Sequence, residues 1–224
     1  MRTIAGLGLV FAAGWMFAQD GKAVYAKMAP VEQYMMERGA EAALARSAAP
    51  ESVSRDAAVM VMGRRGYESA AKGTNGWACL VLRSFTAGID DPVFWNPKIR
   101  GPICLNPAAA RSYLPIVVKR TEWALAGRSR LEIADALKSA FDGKELPALE
   151  AGAMSYMMSK QGYLSDDAGH WHPHLMIFVP LTEEKTWGAG LAGAPLYESK
   201  VVEDRMTVML ILVPKWSDGT ADGH

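Results

Sequence analysis

Three of the four histidines, His170, His172 and His174, stand at alternate positions in the stretch DDAGHWHPHLMIFVP, residues 166–180. In extended backbone, alternate side chains leave the same face about 6.6 Å apart. Two imidazoles at that spacing can converge on one metal ion, since zinc–nitrogen bonds run about 2.0–2.1 Å. Three in a row cannot, because the outer pair lies about 13 Å apart unless the chain bends. Pro173 cannot donate a ladder hydrogen bond and suits a strand's start, so the pattern predicts a bend there and a regular strand from His174. Asp166 and Asp167 stand just upstream, placed to supply an oxygen ligand or to orient an imidazole. A third ligand from elsewhere must be a carboxylate, with Asp90, Asp91, Glu198 and Glu203 as candidates. The chemistry implied is a divalent-metal site, zinc being the natural ion, of the kind a metal-dependent hydrolase uses. A single histidine working as general base without metal is the simpler form.

Other constellations carry less. Tyr156 and Lys160 have the Tyr-x-x-x-Lys spacing of short-chain dehydrogenases, but no glycine-rich turn follows a strand to hold a dinucleotide. Ser155 and Lys160 are five residues apart rather than three, and Gly-x-Ser-x-Gly is missing, which argues against a serine nucleophile. Met154, Met157 and Met158 near the histidine strand suit copper, although methionine is also the usual filler of core gaps. Trp95, Trp171, Trp187 and Trp216 occupy loop-like or strand-end contexts, where a ring can stack on a flat ligand. The alternative to an enzyme is therefore a non-enzymatic envelope or ligand-binding module, with Trp95 and Trp171 lining a concave pocket for a small molecule. In a third reading the histidines merely finish a strand, and their side chains diverge in space.

The N-terminus sets the compartment. Arg2 precedes the apolar run IAGLGLVFAAGWMFA, residues 4–18, short for a membrane span but matched to the core of a secretory signal. The expected signal peptide is 1–18, cleaved after Ala18 or as late as Ala26, with an uncleaved anchor as the alternative. Cleavage leaves an exported protein, periplasmic or secreted, with no integral membrane span. In an oxidising compartment the two cysteines, Cys79 and Cys104, are expected to form one disulfide, since the close spacing of a redox pair is missing. The 24 basic residues balance the 24 acidic ones, so there is no positive field to gather phosphates, and nucleic acid is not an expected partner.

With half of its 224 residues apolar, the chain can bury one sizeable core. The residues after the leader, 19–224, are expected to form one α+β domain whose polar tail, 217–224, is frayed. A helix opens near Pro30 and closes at Pro50. A three-stranded antiparallel meander follows at 57–62, 66–71 and 77–84, with Asn75-Gly76 as a tight turn. In the third strand Cys79, Val81 and Arg83 share what reads as the less buried face. The loop 86–107 is expected to pack across the sheet, pinned by Cys104. Asn106-Pro107 opens a helical middle that Pro115 splits and Gly127 ends, and Ser129 to Glu132 is a capping box for a helix that stops at Gly143. Strands return at 153–159, 174–180, 195–201 and 206–213. The whole is an antiparallel sheet with the helical segment packed on it.

The segments GTNGWACLV, DDPVFWNPKIRGPICLNPAAAR, GAMSYMMSKQGYL and GHWHPHLMIFVP together resemble a family of uncharacterised exported bacterial proteins, from about residue 50 to the end. The resemblance implies export and a single domain, and brings with it no activity, cofactor or catalytic residue.

Overall fold

Alternating apolar residues and β-branched runs build one eight-stranded sheet in the computed structural model, which describes residues 25–167, 169–182 and 184–223. The expected signal peptide and its first cleavage site lie outside the described residues. The strands are β1 (Ala58–Gly63), β2 (Gly66–Ala71), β3 (Ala78–Leu82), β4 (Gly101–Leu105), β5 (Met154–Met157), β6 (His174–Pro180), β7 (Leu196–Val201) and β8 (Met206–Leu212). Their order is β2-β1-β3-β4-β5-β6-β8-β7, and every pairing is antiparallel except that of β1 with β3. With its helices in the middle of the chain, the fold is α+β.

The first three strands are not a meander. β3 pairs with the far side of β1, in parallel, through Ala58–Ala78 and Val59–Cys79. Asn75 does make its turn, its Oδ1 accepting from Trp77 N at 3.0 Å, but the turn carries the chain past the end of β1. The reason is burial. β1 is apolar on both faces and takes an inner seat, whereas β2 exposes Glu68 and Ser69 and is left at the edge.

A second difference lies within the expected loop. Residues 101–105 form β4, fully buried, and Cys104 stands directly opposite Cys79 in the ladder, where the two form the disulfide. The face holding Cys79 and Val81 is not the less buried one, for both residues are 0% exposed. The helix α1 (Arg38–Arg46), followed by the single turn α2 (Glu51–Ser54), covers it with Leu44 and Ala45, and Arg83 is neutralised there by Glu41 at 2.9 Å. Gly101 and Pro102 within it, and Pro107 just beyond, disguised a five-residue strand as irregular chain.

The helical middle follows its local signals. α3 (Pro107–Ser112) is capped by Asn106, α4 (Leu114–Leu125) restarts beside Pro115, and α5 (Arg130–Asp142) carries the Ser129–Glu132 capping box and ends at Gly143. These helices pack on the other face of the sheet, where Ile116, Val117 and Leu137 meet Leu80, Ile103 and Phe178 in the main core. Asn106 also reaches beyond its helix, because Oδ1 accepts from Ala109 N and Met154 N while Nδ2 donates to Gly152 O. Asn106→Ala removes a helix cap and an anchor of β5 together, and should lower stability by about 1–2 kcal/mol in urea unfolding.

The tail is tied down rather than frayed over its described residues. Trp216 is buried, Ser217 N donates to Met158 O, Ser217 Oγ donates to Ser47 O, and Lys215 pairs with Ala221.

Candidate functional site

Strand alternation places His174, Met176 and Phe178 of β6 on one face, opposite Leu212, Leu210 and Val208 of β8. The same face continues onto β7 through Tyr197, Ser199 and Val201, whose partners are Leu210, Val208 and Met206. The helical segment meets this face around Phe178 and leaves the rest of it open. Residues 84–99 pass over that remainder, leaving a half-open groove of about 300 Å³. Its floor is Met157, Met176, Phe178, Met206 and Val208, and its roof includes Ser84, Thr86 and Val93. Tyr113, at the α3–α4 break, stacks on Phe178 with ring centroids 4.3 Å apart and closes the inner end. Gly101 lies behind, where a Cβ would come within 3.3 Å of both Leu164 and Met157, so a glycine lets those side chains seat.

Guanidinium groups hold the roof. Arg120 is 1% exposed; its Nε donates to Phe85 O at 3.2 Å, its Nη2 donates to Ala87 O, and its Nη1 grips both carboxylate oxygens of Asp204 at 2.9 Å. Burial pushes the Asp204 carboxyl upward, against the opposing pull of Arg120. Arg130 donates to Ile89 O and Asp91 O, each at 3.1 Å, and lies over the Phe94 ring. Arg83 donates to Tyr34 O and Val81 O besides pairing with Glu41. The segment is thus a preformed cover whose carbonyls have charged donors.

The histidine segment borders the groove, since Met157 and Leu164 line both it and the small cleft beside His170, His172 and His174. The imidazoles turn to different partners. His174 is 2% exposed, and its Nδ1 donates to His172 O at 2.7 Å; burial depresses its pKa and keeps it neutral. His172 Nδ1 lies 2.6 Å from Asp222 Oδ2, a partner from the tail. His170 sets its ring edge-on to Trp216, with centroids 5.4 Å apart. Among the described residues, no group of three or more His, Cys, Asp or Glu side chains is arranged to hold a metal ion.

Asp166 is occupied elsewhere. Its carboxylate accepts from Tyr25 and Tyr163 hydroxyls at 2.6 Å, from Asn96 Nδ2 at 3.1 Å and from Lys98 Nζ at 3.3 Å. Those donors hold it far below the usual carboxylate range, and its hydrogen bond with Tyr25 in turn pushes that hydroxyl up to about 12. It knots the N-terminal segment to the roof. Asp167 is exposed, and Asp91 Oδ1 accepts from Val93 N at 2.9 Å. Trp95 is 4% exposed and packed edge-on against Phe94 in the core, its open edge bordering a separate cleft beside Met28 and Arg130. Trp171 is 36% exposed and stands against His174 and Tyr197 at the outer end of the groove face. Trp95 and Trp171 therefore line different clefts and not one pocket.

Sequence reasoning missed Ser84, Arg120, Asp204 and Asp222. The apolar alternation of β6 and β8 was readable, but which face stays uncovered depends on where residues 84–99 travel. Comparisons with protein families, curated proteins and solved structures found no match.

Proposed function

We propose that the protein is an exported, non-enzymatic binding module that holds a small apolar molecule in the groove beneath residues 84–99. The observation that carries this is the groove itself: apolar floor, charged clamps on its cover, and a volume at the lower end of the range typical of ligand sites, about 300–1,000 Å³. Three methionines in the floor suit a ligand of irregular outline, because thioether side chains repack at low cost. A cover already fixed by arginines spares binding the cost of ordering a loop. Export rests on the apolar N-terminal run together with the Cys79–Cys104 disulfide, which suits an oxidising compartment. No helix among the described residues is long and apolar enough to cross a membrane.

Titration with the apolar fluorophore N-phenyl-1-naphthylamine tests the reading. Saturable binding is expected, and Ser199→Trp, which sets an indole over the groove from an exposed position, should weaken it at least tenfold while leaving the melting temperature unchanged. Fluorescence that never saturates, or that Ser199→Trp leaves untouched, refutes it. Stoichiometric metal in the native protein, lost with His172→Ala or His174→Ala, would restore the hydrolase reading.

A further inference from the structure

The groove is apolar but not without polar groups, and what its charged side chains and the hydroxyls of its roof already do limits what a ligand can offer. Arg83 is the only cation among the lining residues, and it is committed to Glu41, Tyr34 O and Val81 O. Thr86 Oγ1 donates to Arg83 O at 2.8 Å. Asp91 is the one lining carboxylate; its Oδ1 accepts from Val93 N at 2.9 Å, and Arg130 donates to its main-chain carbonyl at 3.1 Å. Ser84 differs from these. It is 1% exposed, and its Oγ has no hydrogen-bond partner.

Buried hydroxyls are almost always paired, because an unmade hydrogen bond in a low-dielectric site costs the full desolvation of the group. A ligand that brings the missing partner recovers that cost. A carboxylate would enter beside Asp91 with no uncommitted lining cation to meet it, and desolvation of its charge would go uncompensated. An ammonium would give up its hydration for one half-buried carboxylate that already accepts from Val93 N, a weak return in a groove open to water. We infer that the groove selects a neutral aliphatic molecule bearing one hydrogen-bonding oxygen, an alcohol or ester, and that Ser84 Oγ is the group that reads it. This rests on the groove being a ligand site.

Displacement of bound N-phenyl-1-naphthylamine by 1-octanol, octanoate, octylamine and octane, on the intact disulfide-bonded protein, separates the two claims. The expected order puts 1-octanol about fivefold to tenfold ahead of octane, with octanoate and octylamine behind both, as one net hydrogen bond and one unpaired charge dictate. Ser84→Ala should erase the advantage of 1-octanol and leave octane unchanged. Because its hydroxyl has no partner, the same variant should not lower the melting temperature of the free protein. A fluorophore that does not bind saturably overturns the ligand site and this selectivity with it. Binding with all four competitors equal, octanoate or octylamine ahead, or Ser84→Ala without effect on 1-octanol, overturns the selectivity alone. A marked drop in the melting temperature of Ser84→Ala would mean that the hydroxyl is already paired, and overturns it equally.

Discussion

Arg120→Met is expected to destabilise the protein by about 3–5 kcal/mol at neutral pH, the cost of leaving one partner of a buried ion pair alone. Arg120 and Asp204 are 1% and 2% exposed, so no water replaces the lost contact. The substitution keeps most of the side-chain volume but strips two hydrogen bonds from Asp204 and the donors from Phe85 O and Ala87 O. The loss should depend on pH in a defined sense. Burial already raises the folded-state pKa of Asp204, and Arg120 is what opposes that rise. Without Arg120 the folded value climbs further above the unfolded one. A group raised on folding stabilises fully below its unfolded value, and that contribution is lost as pH rises through the folded value. The destabilisation of Arg120→Met should therefore be smallest in mild acid, where Asp204 is protonated, and grow toward neutrality. Urea unfolding of both proteins at several pH values measures this. A pH-independent loss below about 1 kcal/mol would mean that the pair contributes little beyond its own desolvation. Arg120→Met combined with Asp204→Leu should recover part of the stability, since the buried charge is then gone.

Loss of the Cys79–Cys104 disulfide is the second large effect. Chain-entropy reasoning for a bridge spanning 25 residues puts the cost at about 3–4 kcal/mol. For a domain of this size that corresponds to a fall in melting temperature of about 10 °C. Cys79→Ala with Cys104→Ala should show it in a thermal scan, with some further loss because both sulfurs fill the packed space under α1. Both cysteines are 0% exposed, so reductant should act on the native protein only as fast as it opens. Rapid reduction at native temperature would show that β3 and β4 separate locally.

Local signals in the sequence found the helical middle almost residue for residue. Asn106, Pro115, the Ser129–Glu132 box and Gly143 act through backbone groups within one turn, and so no distant contact is needed to read them. The same holds for β6 and β8, whose apolar runs can only be inner strands. β4 was hidden because Gly101 and Pro102 are poor strand formers, and its ladder with Cys79 and Tyr156 overrides that propensity.

The histidines show where local reading stops. Spacing established that His172 and His174 lie near one another in extended chain, but not where each ring turns. Partners decided that: Asp222, 50 residues on, took Nδ1 of His172, and burial made His174 a neutral donor to His172 O. Trp95 reads from sequence like Trp171, a ring in a loop, and only packing against Phe94 separated the core residue from the exposed one.

By itself, then, the sequence determined the α+β class, the helix caps, the inner strands and the cysteine pair, all set by neighbours in the chain or by a choice of one. The tertiary structure alone decided that β1 and β3 run parallel, that Arg120 and Asp204 meet across 84 residues, and that a groove remains beneath residues 84–99. Those depend on which surfaces pack together, and side-chain periodicity records that a face is apolar without recording what covers it.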